Sequence, residues 1–98
     1  MWVKIHSSTR KVIAICDEDL LGKKFEQGIK QLDVKESFFK GEKIQKEDLI
    51  PLMKHEFKEG STFNIVGKES IKTAIEAGII EKNSSLKVKN IPFILIIN

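Results

Sequence analysis

Residues 12–25 read Val-Ile-Ala-Ile-Cys-Asp-Glu-Asp-Leu-Leu-Gly-Lys-Lys-Phe, and we interpret the rest of the chain relative to them. The apolar run Val12–Cys16 predicts a strand that is covered on both faces, as an inner strand of a sheet is. It is followed at once by three acids, two leucines and a glycine. Asp17 and Asp19 are suited to cap a short helical turn, which Gly22 would end. We expect any special site of this protein to lie in this stretch.

Further strands are predicted on both sides of this stretch. Trp2–His6 alternates apolar and polar residues, and with the polar turn after it predicts an antiparallel hairpin with the 12–16 strand. Thr62–Val66 also has the composition of a strand. Near the end, Leu86–Lys89 alternates and Phe93–Ile97 is apolar on both faces, with a connection at residues 90–92. The Phe93–Ile97 pattern predicts a central, fully covered strand.

Two helices are predicted in the second half of the chain. The first covers Asp48–Phe57, whose apolar stripe consists of Leu49, Leu52, Met53 and Phe57. With its cap at Asp48, Pro51 falls in the first turn, where a missing N–H removes no intrahelical bond. The second covers Lys68–Ala77, begins after Gly67 and is ended by Gly78.

The segment Lys23–Lys40 supports two interpretations. Phe25, Ile29 and Leu32 would share one helical face, whereas alternation near Gln31–Glu36 indicates a strand. Either way, the elements predict an α+β fold: one domain over residues 1–98, with a mostly antiparallel sheet of about five strands packed with two principal helices.

Length and composition limit the class of protein. Ninety-eight residues form one domain of ordinary small size. No apolar stretch approaches the roughly 20 residues that span a bilayer, so we expect no membrane association. The first residues lack the apolar core of a signal peptide, and a single cysteine excludes an internal disulfide. We therefore expect a cytoplasmic protein.

The charge balance favours some partners over others. The chain has 17 basic and 14 acidic residues, which gives a net charge of +3, and sixteen of the basic residues are lysines. Lysine is a mobile point charge that neutralises phosphates but lacks the planar fork with which arginine recognises bases. The composition therefore disfavours sequence-specific DNA binding and allows contact with an RNA backbone.

Several stretches together resemble the small archaeal family known only as domain of unknown function 424. The resemblance rests on Lys4–His6, Cys16–Lys23 with Phe25, Glu36–Glu42, Asn64–Gly67, Ala74–Gly78 and the pair Ile91-Pro92. It covers nearly the whole chain in order. It implies an archaeal, cytoplasmic, single-domain protein that is found with translation components. It implies no reaction.

The candidate chemical groups have plain structural alternatives. Cys16 precedes a possible helix start, but the acids beside it raise a thiol pKa, so we expect a packed, unreactive side chain. The acids at 17–19 could hold Mg²⁺, yet capping and a solvated turn explain them equally. His6 and His55 are too few for a zinc site, and both are expected to be exposed. Gly67 at a helix start could receive an anion. We expect no cofactor and no metal.

The leading hypothesis is a non-enzymatic module that contacts ribosomal or other structured RNA through lysine-to-phosphate contacts. Its expected setting is the ribosome, with translation proteins as further partners. The expected RNA-binding residues are Arg10, Lys23, Lys24, Lys87 and Lys89. A motif of unknown role is formed by Cys16, Asp17, Asp19, Gly22, Phe25, Ser37 and Phe38. Two alternatives stay open: a protein–protein adaptor that uses the Phe38-Phe39 region, and a small-molecule or metal-dependent activity centred on Cys16–Lys23.

Overall fold

The computed structural model describes residues 1–98. It contains eight strands, three α-helices and a short 3₁₀ turn at Glu18–Leu20. The elements are β1 (Trp2–His6), β2 (Val12–Cys16), β3 (Lys24–Gln27), β4 (Lys30–Asp33), α1 (Glu36–Phe39), β5 (Glu42–Lys43), α2 (Lys46–Lys58), β6 (Thr62–Val66), α3 (Lys68–Glu76), β7 (Leu86–Val88) and β8 (Ile91–Ile96).

Six of the strands form one mixed sheet in the order β5-β1-β2-β6-β8-β7. Every neighbouring pair is antiparallel except β2 and β6, which are parallel and lie at the centre. The predicted α+β class and the mostly antiparallel sheet are confirmed, with six strands in place of about five. The antiparallel hairpin of β1 and β2 is also confirmed, with Trp2 opposite Cys16 and His6 opposite Val12.

The sheet is covered on both faces, as the 12–16 run predicts. Ile13 and Ile15 face the two long helices, where the larger core cluster also contains Leu49, Met53, Phe63, Ile65, Ile71 and Ala74. Ala14 and Cys16 face the opposite side. There β3, β4 and α1 form a second covering layer, and Leu32, Val34 and Phe39 pack against the sheet. Alternation of side chains along β2 thus supplies both cores.

The uncertain segment Lys23–Lys40 is a hairpin followed by one helical turn. β3 and β4 form a separate antiparallel pair, with Gln27 opposite Lys30 across a two-residue turn. Gly28 there has φ +62°, which suits the first central residue of a type II′ turn. The strand interpretation was therefore correct in kind, although the strand lies at Lys30–Asp33. The helical interpretation was wrong, because Ile29 is the fully exposed tip of the turn.

Helix α2 begins before its predicted cap. Its N-cap is Gln45, whose carbonyl accepts hydrogen bonds from the N–H groups of Asp48 and Leu49. Pro51 consequently lies inside the helix rather than in its first turn. The predicted apolar stripe is also corrected: Phe57 is exposed, and the inward position is taken by Glu56.

A hydrogen-bonded carboxylate explains why a charged residue is buried there. Glu56 accepts a bond of 2.7 Å from the Ser61 hydroxyl and pairs with Lys11 at 3.3 Å. Burial raises the pKa of Glu56, but the bonds from Ser61 and Lys11 outweigh it, and the pKa lies below its ordinary value.

The end of the chain differs from prediction. Lys89 and Asn90 form the turn, with φ values of +51° and +64°, while Ile91 and Pro92 already belong to β8. β8 is next to the sheet edge and only partly covered, so the predicted central position was wrong. β2 and its neighbour β6 are the strands in which every residue but one is buried. Helix α3, by contrast, ends as predicted, with Gly78 at φ +78° and Ile79 packed behind it.

None of the helices has the length and apolar character needed to cross a membrane.

Candidate functional site

The conspicuous stretch after β2 lies at the carboxyl ends of the two parallel strands. β2 ends at Cys16 and β6 ends at Val66, and these two residues are neighbours in the sheet. Asp17 follows the first strand and Gly67 follows the second. In sheets with parallel strands, this edge is where ligands commonly bind. The side chains here therefore decide whether the protein has a chemical site.

Asp17 is a helix cap, but of a helix other than the predicted one. Its buried carboxylate accepts hydrogen bonds from the backbone N–H groups of Glu69 and Ser70, at 3.1 and 2.7 Å, and from the Ser70 hydroxyl at 2.7 Å. These donors belong to the first turn of α3. The predicted capping of the turn at Glu18–Leu20 is wrong, since that turn has no side-chain cap.

Gly67 allows this close approach. A Cβ at this position would lie 2.2 Å from the carboxyl carbon of Asp17, and the residue has φ +112°. Both the space and the backbone conformation therefore require glycine. The hypothesis that this helix start receives an external anion is not supported, because the carboxylate of Asp17 already occupies the N–H groups of Glu69 and Ser70.

Cys16 has no access to solvent. It lies on the covered face of β2 at 0% exposure, in the same core cluster as Val66 and Phe39. Burial, and then the negative charge of Asp17, raise the pKa of its thiol to about 12. A thiol that is neutral and enclosed cannot act as a nucleophile toward a substrate in solution.

A cavity of about 460 Å³ opens beside these acids. It is lined by Asp17, Glu18, Asp19 and Glu69, together with Met1, Ile44, Gln45 and Lys46. No group of three or more His, Cys, Asp or Glu side chains is arranged to hold a metal ion. Two of the lining charges, Glu18 and Lys46, already have partners. Glu18 accepts a hydrogen bond from Lys43, which lowers the pKa of Glu18, and Lys46 donates one to Glu76, which raises the pKa of Lys46. The cavity is acidic and would repel phosphate.

Two further motif residues, Gly22 and Phe25, hold the β3–β4 hairpin in place. Gly22, at φ +82°, donates its N–H to the carbonyl of Val34 at 2.7 Å. Phe25 is half-buried against the core cluster under the hairpin, while Asp19 is exposed. These contacts give Gly22 and Phe25 a structural role.

Ser37 and Phe38 bind α1 to β1. Lys4 donates a hydrogen bond to the carbonyl of Ser37 at 2.9 Å. The ring of Phe38 stacks on His6 with centroids 4.5 Å apart, and its carbonyl lies 2.8 Å from Nε2 of that histidine. His6 is therefore half-buried, contrary to prediction, whereas His55 is exposed as predicted. Phe39 is buried in the core.

The predicted basic residues fall into two places. Lys23 and Lys24 lead into β3, and Lys87 and Lys89 lie on and after β7. β3 and β7 are in contact, and the N–H of Lys89 donates to Oε1 of Gln27 at 3.0 Å. All four lysines are exposed.

Arg10 lies elsewhere. It precedes β2, at the opposite end of the sheet from Cys16, and its guanidinium donates to the carbonyl of Asn98. The structure therefore groups four of the five predicted residues. Three further lysines, Lys30, Lys35 and Lys40, are exposed on residues 23–40 and were not among the predicted residues, because the fold of that segment was ambiguous in the sequence. Their only sequence signal was their position in a lysine-rich segment.

Charge is distributed unequally along the chain. We call residues 23–40, which cover one face of the sheet, together with residues 86–90 at the adjoining sheet edge the basic layer; it contains seven lysines and three acids. We call residues 46–82 the helix layer; it contains six lysines and seven acids. The excess positive charge of the protein is thus carried by residues 23–40 and 86–90 and not by the long helices.

Comparison with known proteins identifies the family and the fold. Residues 5–98 match the family described as "Protein of unknown function (DUF424)", and the chain belongs to this family. A crystal structure titled as that of an uncharacterized conserved protein from Methanopyrus kandleri is similar, with a TM-score of 0.87 and 21% sequence identity. The similarity covers 97% of this chain and 88% of that one. No curated protein matches the chain.

Proposed function

We propose that this member of the family is a non-enzymatic RNA-binding protein that contacts the phosphate backbone of structured RNA through the lysines of its basic layer. The observation that carries the proposal is the separation of charge between the two layers. The basic layer has four net positive charges, more than the +3 of the whole chain, while the helix layer is close to neutral. A surface with one sign of charge attracts a polyanion even when the net charge of the protein is small.

The type of basic residue limits what is recognised. All seven basic residues of the basic layer are lysines, and all are exposed. Only two of them form ion pairs, Lys24 with Glu26 at 3.9 Å and Lys40 with Glu36 at 3.7 Å. Ion pairs between exposed side chains contribute little and exchange readily for phosphate contacts. Recognition through lysines neutralises phosphates without discriminating bases.

The side chains at the carboxyl ends of β2 and β6 support a binding module over an enzyme. Asp17 is occupied by the start of α3, and Cys16 is enclosed. The acids of the neighbouring cavity would repel RNA, which favours approach from the basic layer. The adaptor alternative receives less support, because Phe38 stacks on His6 and Phe39 is buried.

The direct test compares two variants with equal charge. Replacing Lys23, Lys24, Lys87 and Lys89 by Gln removes four charges from the basic layer. Replacing Lys54, Lys58, Lys68 and Lys72 by Gln removes four exposed charges from the helix layer. Affinity for structured RNA is measured by fluorescence anisotropy at several salt concentrations, with two unrelated sequences.

We expect the basic-layer variant to lose affinity for both sequences and the helix-layer variant to keep most of it. Each neutralised phosphate contributes about 0.7–0.9 to the slope of log affinity against log salt, so loss of four contacts should flatten the slope by about 3. Equal losses in the two variants, no binding at low salt, or salt-resistant binding of one sequence would contradict the proposal.

The translation setting requires a separate experiment. It is suggested by the family resemblance and is compatible with backbone recognition of ribosomal RNA. Affinity purification from the source cell, with sequencing of bound RNA and identification of bound proteins, should recover ribosomal RNA or translation proteins. Recovery of neither would remove this part of the proposal and leave backbone binding to be judged by the anisotropy measurements.

A further inference from the structure

Strand β8 is longer than the strand that covers its outer side. On its inner side it pairs with β6 along Phe93–Ile96. On its outer side it pairs with β7 only along Ile91–Phe93, and no residue before Leu86 pairs with it. The part of β8 after Phe93 is therefore an edge of the sheet.

The backbone of this edge has hydrogen-bonding groups that point outward. The carbonyl of Pro92 accepts the N–H of Gly67, so residue 92 faces inward. In an antiparallel strand the N–H and C=O groups of one residue point to the same side, and successive residues alternate. The backbone N–H and C=O of Phe93 accordingly point toward β7. Those of Leu95 point to the same side but lie beyond the end of β7, so they are available to another strand.

The side chains at this edge are apolar and exposed. Leu95 is 55% exposed and Ile97 is 69% exposed, and both lie on the face that the β3–β4 hairpin only partly covers. Ile94 and Ile96 lie half-buried on the other face against the helix core. An apolar strand edge with free backbone groups is a site where another strand adds to the sheet.

The other edges carry the charges that discourage such pairing. Edge strand β7 contains Lys87, and the opposite edge strand β5 consists of Glu42 and Lys43. In contrast, residues 90–98 contain no charged side chain. The uncharged segment includes the whole of β8, so no charged side chain of the strand itself opposes the pairing of two copies.

We propose that β8 is a self-association edge, at which the strand pairs antiparallel with β8 of a second copy of this chain. A twofold axis makes the contact self-complementary, because each copy offers the same free backbone groups and the same apolar side chains. The neutrality of the segment favours a second copy over a charged partner. The pairing joins the two sheets into one and covers Leu95 and Ile97 of both copies.

The test is the oligomeric state of the full chain, measured by sedimentation velocity from about 1 µM to 1 mM, the range of weak to moderate interfaces. We expect dimer formation with concentration. The variants Leu95→Lys and Ile97→Lys should raise the protein concentration at which half of the chains are dimeric by about tenfold or more, because they place like charges opposite each other. The control Ile29→Lys, at the exposed tip of the β3–β4 hairpin, should leave it unchanged; circular dichroism confirms that all variants fold.

Hydrogen exchange gives an independent readout that needs no variant. The amide of Leu95 should exchange quickly at low protein concentration and slowly at high concentration, whereas the amide of Ile65 should be protected at both. A protein that stays monomeric over the whole range, or a dimer that persists unchanged in both lysine variants, would overturn the proposal. Pairing of this edge with a different protein alone would overturn it as well.

Discussion

At the scale of single residues, Asp17 shows how a conspicuous acid can serve the fold. It is buried, and its carboxylate accepts three hydrogen bonds from the start of α3. The sequence predicted that Asp17 caps the short turn that follows it, because Asp is a preferred cap residue before a helical turn. The observed cap is of α3 instead, since that contact joins residues 53 positions apart and depends on the parallel pairing of β2 with β6.

We predict that Asp17→Asn lowers the free energy of unfolding by about 1–3 kcal/mol, because an amide N–H₂ group would face the helix N–H donors. Asp19→Asn is the matched control: Asp19 is exposed and forms no hydrogen bond or ion pair, so its change should stay within about 0.5 kcal/mol. Urea denaturation measures both. Equal stabilities for the two variants would mean that the cap contributes nothing.

Cys16 should react slowly with a maleimide at neutral pH in the native state and quickly in guanidinium chloride, since its thiol is enclosed and its pKa is about 12. A native labelling rate equal to the unfolded rate would restore the cysteine as a candidate nucleophile.

The raised pKa of Cys16 also has a consequence for stability. The unfolded thiol titrates near 8.5, so the stabilisation from neutral Cys16 is complete below about pH 8.5 and is lost as the pH rises toward the folded pKa. The variant Cys16→Ala should lack this alkaline dependence.

Glu56 should make the protein sensitive to acid. Its folded pKa is lowered, so its stabilisation is present above the unfolded value of about 4.3 and is lost as the pH falls through the folded pKa. Glu56→Gln should therefore cost about 1–2 kcal/mol at pH 7 and progressively less below about pH 4. Glu59→Gln, at an exposed position of the same helix end, serves as control. A cost of Glu56→Gln that is independent of pH would show that the charge of Glu56 is unimportant.

At the scale of elements, local pattern predicted the type of most segments and failed where tertiary contacts decide. The strands at 2–6, 12–16 and 62–66 were predicted with their observed bounds, because alternation and apolar runs specify them directly. The β3–β4 hairpin was ambiguous, since Phe25 and Leu32 fit one helical face and also one face of a cross-strand pair. The predicted central position of β8 was wrong, because an apolar run does not show how much of the strand is covered by neighbouring elements.

Pro51 gives a test of the corrected bounds of α2. Inside the helix it removes the bond to the carbonyl of Glu47, whereas in a first turn it would remove none. We predict that Pro51→Ala, at an exposed position, raises the free energy of unfolding by about 1–2 kcal/mol, the gain in helix propensity being partly offset by a more flexible unfolded chain. Lys54→Ala in the same helix should change it by less than about 0.5 kcal/mol. A destabilised Pro51→Ala variant would favour the predicted start at Asp48.

At the scale of the whole molecule, the proposed function rests on how the chain distributes charge around one sheet. Composition alone showed a mild excess of lysine and suggested backbone contact with RNA. It could not show that residues 23–40 and 86–90 lie together, because that requires the contact between β3 and β7. Nor could it show that Arg10 lies at the far end of the sheet.

The most direct measurement of the central claim is a titration of the isotopically labelled protein with structured RNA at low salt, followed by amide chemical shifts. We expect shift changes in residues 23–40 and 86–90 that are reduced by added salt and are similar for unrelated RNA sequences. Amides on the outer faces of α2 and α3 should not change. Changes concentrated on those helices or around Asp17, or no change at any RNA concentration, would contradict it.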